Sequence, residues 1–182
     1  MAHKFSTSYL EDSTALFRFY KKMGESAMEQ VTDQQLFTTL DEEMNSIAII
    51  VKHMAGNMRS RWTDFLTSDG EKPDRNRDLE FAAPPATRAE LTNIWNEGWD
   101  RVFHALEPLS DADVERKVTI RGELHSVMQA INRQIAHYAY HCGQIVFLAK
   151  HFKAGEWKSL SVPRNKSADF NRMVQAGEAS QR

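Results

Sequence analysis

The sequence predicts an all-α protein built as a four-helix bundle. Four long segments of the 182-residue chain repeat apolar residues at intervals of three and four, which places those residues on one face of a helix. The 5 prolines and 8 glycines cluster between these segments. One connection is only about ten residues long, which favours antiparallel neighbours. We expect a single domain over residues 1–182, with the bundle at about 8–152 and a C-terminal extension at about 153–182.

The first two segments supply the first pair of predicted helices. The first runs from about residue 8 to about residue 30. The second is predicted to begin near Asp41, because three consecutive acidic residues suit the positive end of a helix dipole, and to continue to about Leu66. The polar stretch at 67–78 is rich in turn formers and charges of both signs, which indicates a solvated loop.

The third predicted helix begins after two prolines and runs to about Leu106. Thr87 and Glu90 fit a capping box, in which each side chain satisfies a free backbone donor. Beyond this helix Val118 and Ile120 alternate with polar residues. That alternation predicts a short strand or an extended loop before the last long helix.

The fourth predicted helix starts near Ser126 and runs to about Phe152. S-V-M-Q at its start fits another capping box. Its apolar positions, from Leu124 and Met128 through to Ala149, define the face that we expect to lie in the core.

Histidines stand out in "IAHYAYHCGQI", residues 135–145. His137 and His141 are four apart, so a helix places them on one side, about 40° apart and one turn along. The core face centres about 120° away, which puts both at the edge of the core. His53 in the second segment has the same relation to its own core face. Three neutral imidazoles that converged there would suit Zn²⁺, Ni²⁺ or Fe²⁺. The alternative is three histidines that pack or form hydrogen bonds at the core edge.

The remaining candidate side chains are assigned structural or surface roles. Cys142 is the 1 cysteine, so an internal disulfide is excluded, and its place on the core face predicts a small buried hydrophobe. His104, His125 and His151 have no partner at ligand spacing. His3 is predicted to lie in a disordered amino terminus.

Charge and hydropathy narrow the range of partners. Lys plus Arg is 23 and Asp plus Glu is 25, for a net charge of -2, which gives no reason to expect nucleic acid or a membrane surface. No apolar run approaches the roughly 20 residues of a membrane span, and the amino terminus lacks the apolar core of a signal peptide. We expect a cytoplasmic protein that acts on a small molecule.

One histidine in the second helix and H-x3-H-x-G-Q in the last resemble the DinB-like superfamily of four-helix-bundle metal proteins. That superfamily includes bacillithiol S-transferases and the metal-binding domain of mycothiol-dependent maleylpyruvate isomerases. The resemblance covers about residues 8–152. The stretches "NSIAIIVKHMAGNMRSRWTDFLTSDGEK", "AINRQIAHYAYHCGQIVFLAK" and "WKSLSVPR" resemble a branch of uncharacterised bacterial proteins.

The resemblance implies that His53, His137 and His141 bind a divalent metal ion, with zinc or nickel favoured over iron. Gln144 lies on the ligand side of its helix and could hold an imidazole or a bound water. Asn57, one turn after the first ligand, could orient a bound molecule.

Arg133, one turn before His137, could receive an anionic group of the substrate. Its alternative is a solvated edge residue, and the same holds for Asn57. Gln144 could equally be a polar residue at a helix–helix edge.

The activity implied by the resemblance is transfer of a low-molecular-weight thiol to an electrophile. Two alternatives remain open: a hydrolase that activates water at the metal, and a non-catalytic protein that binds a metal or ligand in a stress response. The sequence offers no clear general base for hydrolysis, because Asp64 lies about three turns from His53. The apolar face of the first helix could also form a homodimer interface.

Overall fold

The computed structural model describes residues 6–180 and is predominantly helical, as predicted. Within these residues it contains seven α-helices and one two-stranded antiparallel sheet. The helices are α1 (Tyr9–Met28), α2 (Asp33–Phe37), α3 (Ile47–Trp62), α4 (Arg77–Glu80), α5 (Arg88–Leu106), α6 (Val127–Lys153) and α7 (Ser167–Gln175). The strands are β1 (Lys117–Ile120) and β2 (Glu123–Ser126), so the expected extended segment is a β-hairpin.

The four long helices pack in a closed ring. Helix α1 contacts α5 and α6, and α3 contacts the same two helices. Large aromatic side chains are fully buried between them: Phe17, Trp95, Trp99 and Tyr138. Phe17 meets Trp62 edge to face, with ring centroids 5.7 Å apart. Aromatic pairs in this geometry add to the free energy of burial, so they help to fix how α1 faces α3.

A hydroxyl side chain caps the start of each long helix by accepting the backbone N–H three residues on. The four capping residues are Ser8, Ser46, Thr87 and Ser126. The predicted capping box at Ser126 is confirmed, with Gln129 as its reciprocal partner. At Thr87 the box is incomplete, because the Glu90 carboxylate accepts the N–H of Ala86 instead, at 2.8 Å.

The second long helix begins later than predicted. Helix α3 is capped by Ser46, whereas the acidic run near Asp41 forms a turn in which the Asp41 side chain accepts the N–H groups of Glu43 and Met44. Asp satisfies local backbone donors in turns as well as at helix starts, so the acidic run alone did not locate the helix. The short helix α2 fills part of the preceding connection, and α3 ends at Trp62, one turn before the predicted end.

Two residues assigned to the core face of the last helix lie outside it. Leu124 is 71% exposed because it belongs to β2, where it stands opposite Thr119. Met128 is 38% exposed, in the first turn of α6. The helix begins at Val127, so the apolar periodicity does not extend back to Leu124, which lies in β2.

The tip of the hairpin is fastened to the connection that follows α3. The Asp69 carboxylate accepts the backbone N–H groups of Arg121 and Gly122, each at 2.8 Å. Both tip residues have positive φ, 56° and 77°, as a tight hairpin turn requires. The N–H of Gly70 also donates to the carbonyl of Thr119 at 2.7 Å. The connection between α3 and α5 and the connection between α5 and α6 are therefore hydrogen-bonded to each other near the end of α3.

Helix α6 is the longest of the described helices, with 27 residues, and it carries charged side chains. None of the helices in residues 6–180 has both the length and the apolar character needed to cross a bilayer.

Candidate metal centre

Three histidines from two helices meet between α3 and α6. His53 Nε2 lies 3.3 Å from His137 Nε2, which in turn lies 3.1 Å from His141 Nε2. One ligand nitrogen from each ring lies within 4.8 Å of the other two. His137 and His141 lie one turn apart on α6, which brings their rings together. The ring of His53 reaches them because α3 packs against α6.

Two of these imidazoles are buried and the third, His137, is half-buried. His53 is 4% exposed and His141 is 9% exposed. The connection after α3 shields His53 from solvent, because Phe81 in that connection stacks on the His53 ring with centroids 4.6 Å apart. A cavity open to solvent is lined by all three histidines.

Hydrogen bonds set the tautomers of two of the rings. His53 Nδ1 lies 2.8 Å from a Glu80 carboxylate oxygen, and His141 Nδ1 lies 2.7 Å from the Gln144 carbonyl oxygen. Ionised carboxylate and amide oxygens can only accept, so Nδ1 carries the proton in each ring. The two Nε2 atoms therefore keep free lone pairs directed at the centre of the cluster.

Burial keeps two of the imidazoles, those of His137 and His141, uncharged at neutral pH. It lowers the pKa of His137 to about 3, with a further contribution from the neighbouring His141 and His53. Burial also lowers the pKa of His141 to about 4, although its hydrogen bond to Gln144 acts in the opposite direction. Neutral imidazole is the form that binds metal ions.

The cluster can hold a metal ion. Nitrogen ligands at 2.0–2.1 Å from a tetrahedral ion lie about 3.3 Å apart. Two of the Nε2–Nε2 distances are 3.1 and 3.3 Å, and the ligand nitrogens all lie within 4.8 Å of one another. His137 Nδ1 is buried and has no hydrogen-bond partner among the described residues. That nitrogen is the one part of the triad without a group to orient it.

Glu80 joins the cluster to a buried ionic network. Arg75 binds both of its carboxylate oxygens, at 2.8 and 3.0 Å, and also reaches Glu71 at 3.2 Å. Burial tends to raise the pKa of Glu80, but hydrogen bonds from His53 and Arg75 outweigh it and leave the pKa below its usual value. Glu80 therefore stays ionised while it is only 6% exposed.

Gly56 makes room for this carboxylate on α3. A Cβ atom at that position would lie 2.7 Å from Cδ of Glu80, well inside van der Waals contact. Any larger residue would displace the Glu80 side chain.

A cavity of about 530 Å³ opens beside the histidines. Five arginines line it: Arg61, Arg75, Arg77, Arg121 and Arg133. The other polar lining residues are amides and one phenol: Asn45, Asn57, Gln134, Tyr140 and Gln144. Within the described part of the chain, no acidic residue lines this cavity.

Residues 4–166 match the family described as "Protein of unknown function (DUF1572)". This match spans most of the 182 residues. The chain belongs to the DUF1572 family. No curated protein and no solved structure matches it.

In this DUF1572 chain the three polar residues singled out from the sequence all line the cavity. Gln144 accepts from His141 and donates to the Tyr140 hydroxyl at 3.0 Å. Asn57 is 6% exposed and its Oδ1 accepts from the Tyr138 hydroxyl at 3.1 Å. Arg133 lies at the exposed rim.

Other histidines of the DUF1572 chain do not join the cluster. His104, His125 and His151 lie outside it, and His3 lies outside the described residues. Cys142 is buried, as predicted, and burial raises the pKa of its thiol to about 12. It is therefore neither a ligand of the cluster nor a reactive thiol.

Sequence reasoning missed Glu80, Arg75 and Glu71. Glu71 and Arg75 lie in the stretch predicted as a solvated loop, residues 67–78, and Glu80 follows it. No spacing relates these three residues to the histidines. One local signal was present, because Asn76 precedes R-D-L-E and caps the short helix α4 that carries Glu80.

Proposed function

We propose that this protein is a metal-dependent enzyme that transfers a low-molecular-weight thiol to an electrophile. His53, His137 and His141 would hold the divalent ion, with zinc or nickel favoured over iron. The convergence of their Nε2 atoms, at 3.1 and 3.3 Å, is the observation that supports the site.

We also propose that the chain is a DinB-like four-helix bundle. The closed ring of contacts among α1, α6, α3 and α5 is what such a bundle requires. One histidine within α3 and the H-x3-H pair within α6 repeat the arrangement that carries the resemblance.

A divalent ion with three histidine ligands lowers the pKa of a bound thiol or water, which provides a nucleophile near neutral pH. Glu80 and Gln144 hold two of the imidazoles in place from behind. In the transfer, the thiol gives its proton to solvent and its sulfur forms a bond to carbon of the electrophile. The leaving group departs with the electron pair of the bond that breaks.

The surroundings favour a thiol over water as the nucleophile. Hydrolysis is helped by a general base close to the reacting water, and no carboxylate of the described residues lines the cavity. Both oxygens of Glu80 are already engaged by Arg75, and one of them also by His53. A thiol has a pKa of about 8.5 against about 15.7 for water, so it needs less assistance to lose its proton.

Elemental analysis tests the metal. The wild type should contain about one ion per chain, and the His137→Ala, His141→Ala double variant should contain almost none. A double variant of two exposed histidines outside the cluster, His104→Ala with His151→Ala, is the matched control and should keep the metal. Equal metal in the wild type and the cluster variant would reject the site.

Loss of an electrophile such as monochlorobimane tests the activity. The protein-dependent rate, above the spontaneous reaction of the thiol with the probe, should require added thiol and disappear when the ion is removed by a chelator. A thiol-dependent rate that survives chelation would contradict thiol transfer at the metal. Steady release of acid from esters without thiol would favour hydrolysis.

A further inference from the structure

Positive charge is concentrated around the cavity beside the histidines. Three of its five arginines share one carboxylate, because Arg61, Arg75 and Arg121 lie 2.9, 3.2 and 3.1 Å from the same oxygen of Glu71. Burial acts to raise the pKa of Glu71, but hydrogen bonds from Arg61 and Arg121 and the charge of Arg75 leave it below its usual value. Glu71 and Glu80 therefore compensate only part of the arginine charge.

Two arginines of the cavity stand apart from that network. Arg133, on α6, forms no hydrogen bond or ion pair within residues 6–180, and its side chain is exposed at the rim. Arg77 lies over the Phe81 ring, 4.9 Å from its centroid, and has no carboxylate partner in the same part of the chain. These two guanidinium groups are free to bind an anion.

Buried polar atoms in the wall also lack partners. Arg61 is 6% exposed and Gln134 is 3% exposed, and both line the cavity. Nε of Arg61 and Oε1 of Gln134 have no hydrogen-bond partner among the described residues. An unpaired buried polar group costs about 1–3 kcal/mol. The N–H at Arg61 Nε could donate to an anion, whereas Gln134 Oε1 would need a donor elsewhere on the ligand.

We propose that the cavity binds a small molecule that carries a carboxylate or phosphate group, with this anion seated against Arg133 and Arg77. The planar guanidinium fork matches both oxyanions, and a cleft lined by one sign of charge concentrates ligands of the opposite sign. The inference rests on the proposed function for the reacting end of the ligand, next to the three histidines, and adds the charge class of the substrate.

Substitution of Arg133 tests ligand binding without disturbing the folded protein. The other cavity arginines pair with Glu71, Glu80 or an aromatic ring, so replacing them also disturbs the protein. Arg133→Gln removes a charge that no described residue uses. Arg164→Gln is the matched control, since Arg164 is exposed, lies outside the cavity and carries the same charge.

Titration calorimetry with inorganic phosphate and with succinate tests the proposal, at constant ionic strength. Neutral succinamide serves as the uncharged probe, and each titration is made on metal-loaded and on chelated protein. At least one anion should bind the wild type, and Arg133→Gln should weaken it about tenfold or more, as loss of a charge-assisted hydrogen bond does. Arg77→Gln should weaken it in the same direction, Arg164→Gln should bind like the wild type, and succinamide should not bind. Preference for phosphate or for succinate identifies the oxyanion.

Three outcomes would overturn the inference: no binding of either anion at millimolar concentration, equal affinity in the wild type and Arg133→Gln, or equal weakening by Arg164→Gln. Metal content is measured on the same samples. Metal retained without Arg133-dependent anion binding removes this inference and leaves the proposed function intact. Arg133-dependent anion binding in a protein that holds no metal would support this inference and reject the proposed metal-dependent function.

Discussion

Glu80 holds His53 through a 2.8 Å hydrogen bond to Nδ1, although the two residues lie on different elements of the chain. Arg75 in turn fixes the carboxylate through both oxygens. The orientation of one predicted metal ligand thus depends on the connection after α3. Carboxylates that hold ligating histidines in this way usually affect metal affinity strongly.

Replacing Glu80 should therefore weaken metal binding. Glu80→Gln removes the charge that faces both the imidazole and Arg75, and we expect metal affinity to fall about 10- to 100-fold. Competition with a chromophoric chelator measures the affinity. Glu97→Gln, at an exposed position on α5, is the control and should have no effect. An unchanged affinity in Glu80→Gln would show that the carboxylate does not orient His53.

Gly56→Ala should reproduce part of that loss without a charge change. The new methyl group would meet Cδ of Glu80 at 2.7 Å and push the carboxylate away from His53. Ala stabilises a helix interior by about 1 kcal/mol relative to Gly, so α3 itself should not suffer. The same competition assay should show reduced metal affinity.

Gly143→Ala is the control for that substitution. It lies within α6, and nothing approaches its Cβ position within 4 Å, so metal affinity should stay at the wild-type value. Wild-type metal affinity in Gly56→Ala would mean that displacement of the Glu80 carboxylate does not affect metal binding.

The buried hydroxyl of Tyr138 joins two helices. It accepts from Trp62 Nε1 at 2.9 Å and donates to Asn57 Oδ1 at 3.1 Å. Tyr138→Phe leaves both groups unpaired, so the free energy of unfolding should fall by about 1–3 kcal/mol in urea titrations. Tyr9→Phe removes only exposed hydrogen bonds, to the Met128 carbonyl and to Asn132, and should cost less than about 0.5 kcal/mol. Equal costs would contradict the buried network.

Acid should destabilise the metal-free protein through its histidines. The folded pKa values of His137, about 3, and His141, about 4, lie below the ordinary value of 6.5, chiefly because of burial. Below pH 6.5 the unfolded chain binds protons that the folded chain does not, so the free energy of unfolding falls as pH falls towards the folded pKa values. The slope should reach at most about 1.4 kcal/mol per pH unit for each histidine.

Urea unfolding in EDTA between pH 7 and pH 5 measures that slope. The His137→Asn, His141→Asn double variant should lose most of the dependence. If its slope equals that of the wild type, other groups control the acid sensitivity.

Sequence patterns predicted the helix boundaries well where interactions between residues close in sequence determine those boundaries. The capping box at Ser126 and the apolar periodicity beyond it located α6 almost to the residue. The predicted start of α3 was wrong because the Asp41 side chain accepts backbone N–H groups in a turn. The local sequence does not distinguish such a turn from the start of a helix. The homodimer and the cytoplasmic location stay predictions.

The site was predictable only in part for a related reason. Helical spacing alone places His137 beside His141, but the approach of His53 depends on how α3 packs against α6. Glu80 and Arg75 come from a connection whose path is set by contacts distant in sequence, such as Asp69 with the hairpin tip. Periodicity carries no information about that path.

The attachment of the hairpin tip to Asp69 has a consequence for how this family can diverge. Glu71, Arg75, Glu80 and Arg121 all lie in segments outside the four long helices. Mutation can therefore remodel the entrance, and with it the choice of molecules admitted, while the helical framework and its imidazoles are inherited unchanged. The two segments are fastened to each other, so viable changes in one should be accompanied by compensating changes in the other.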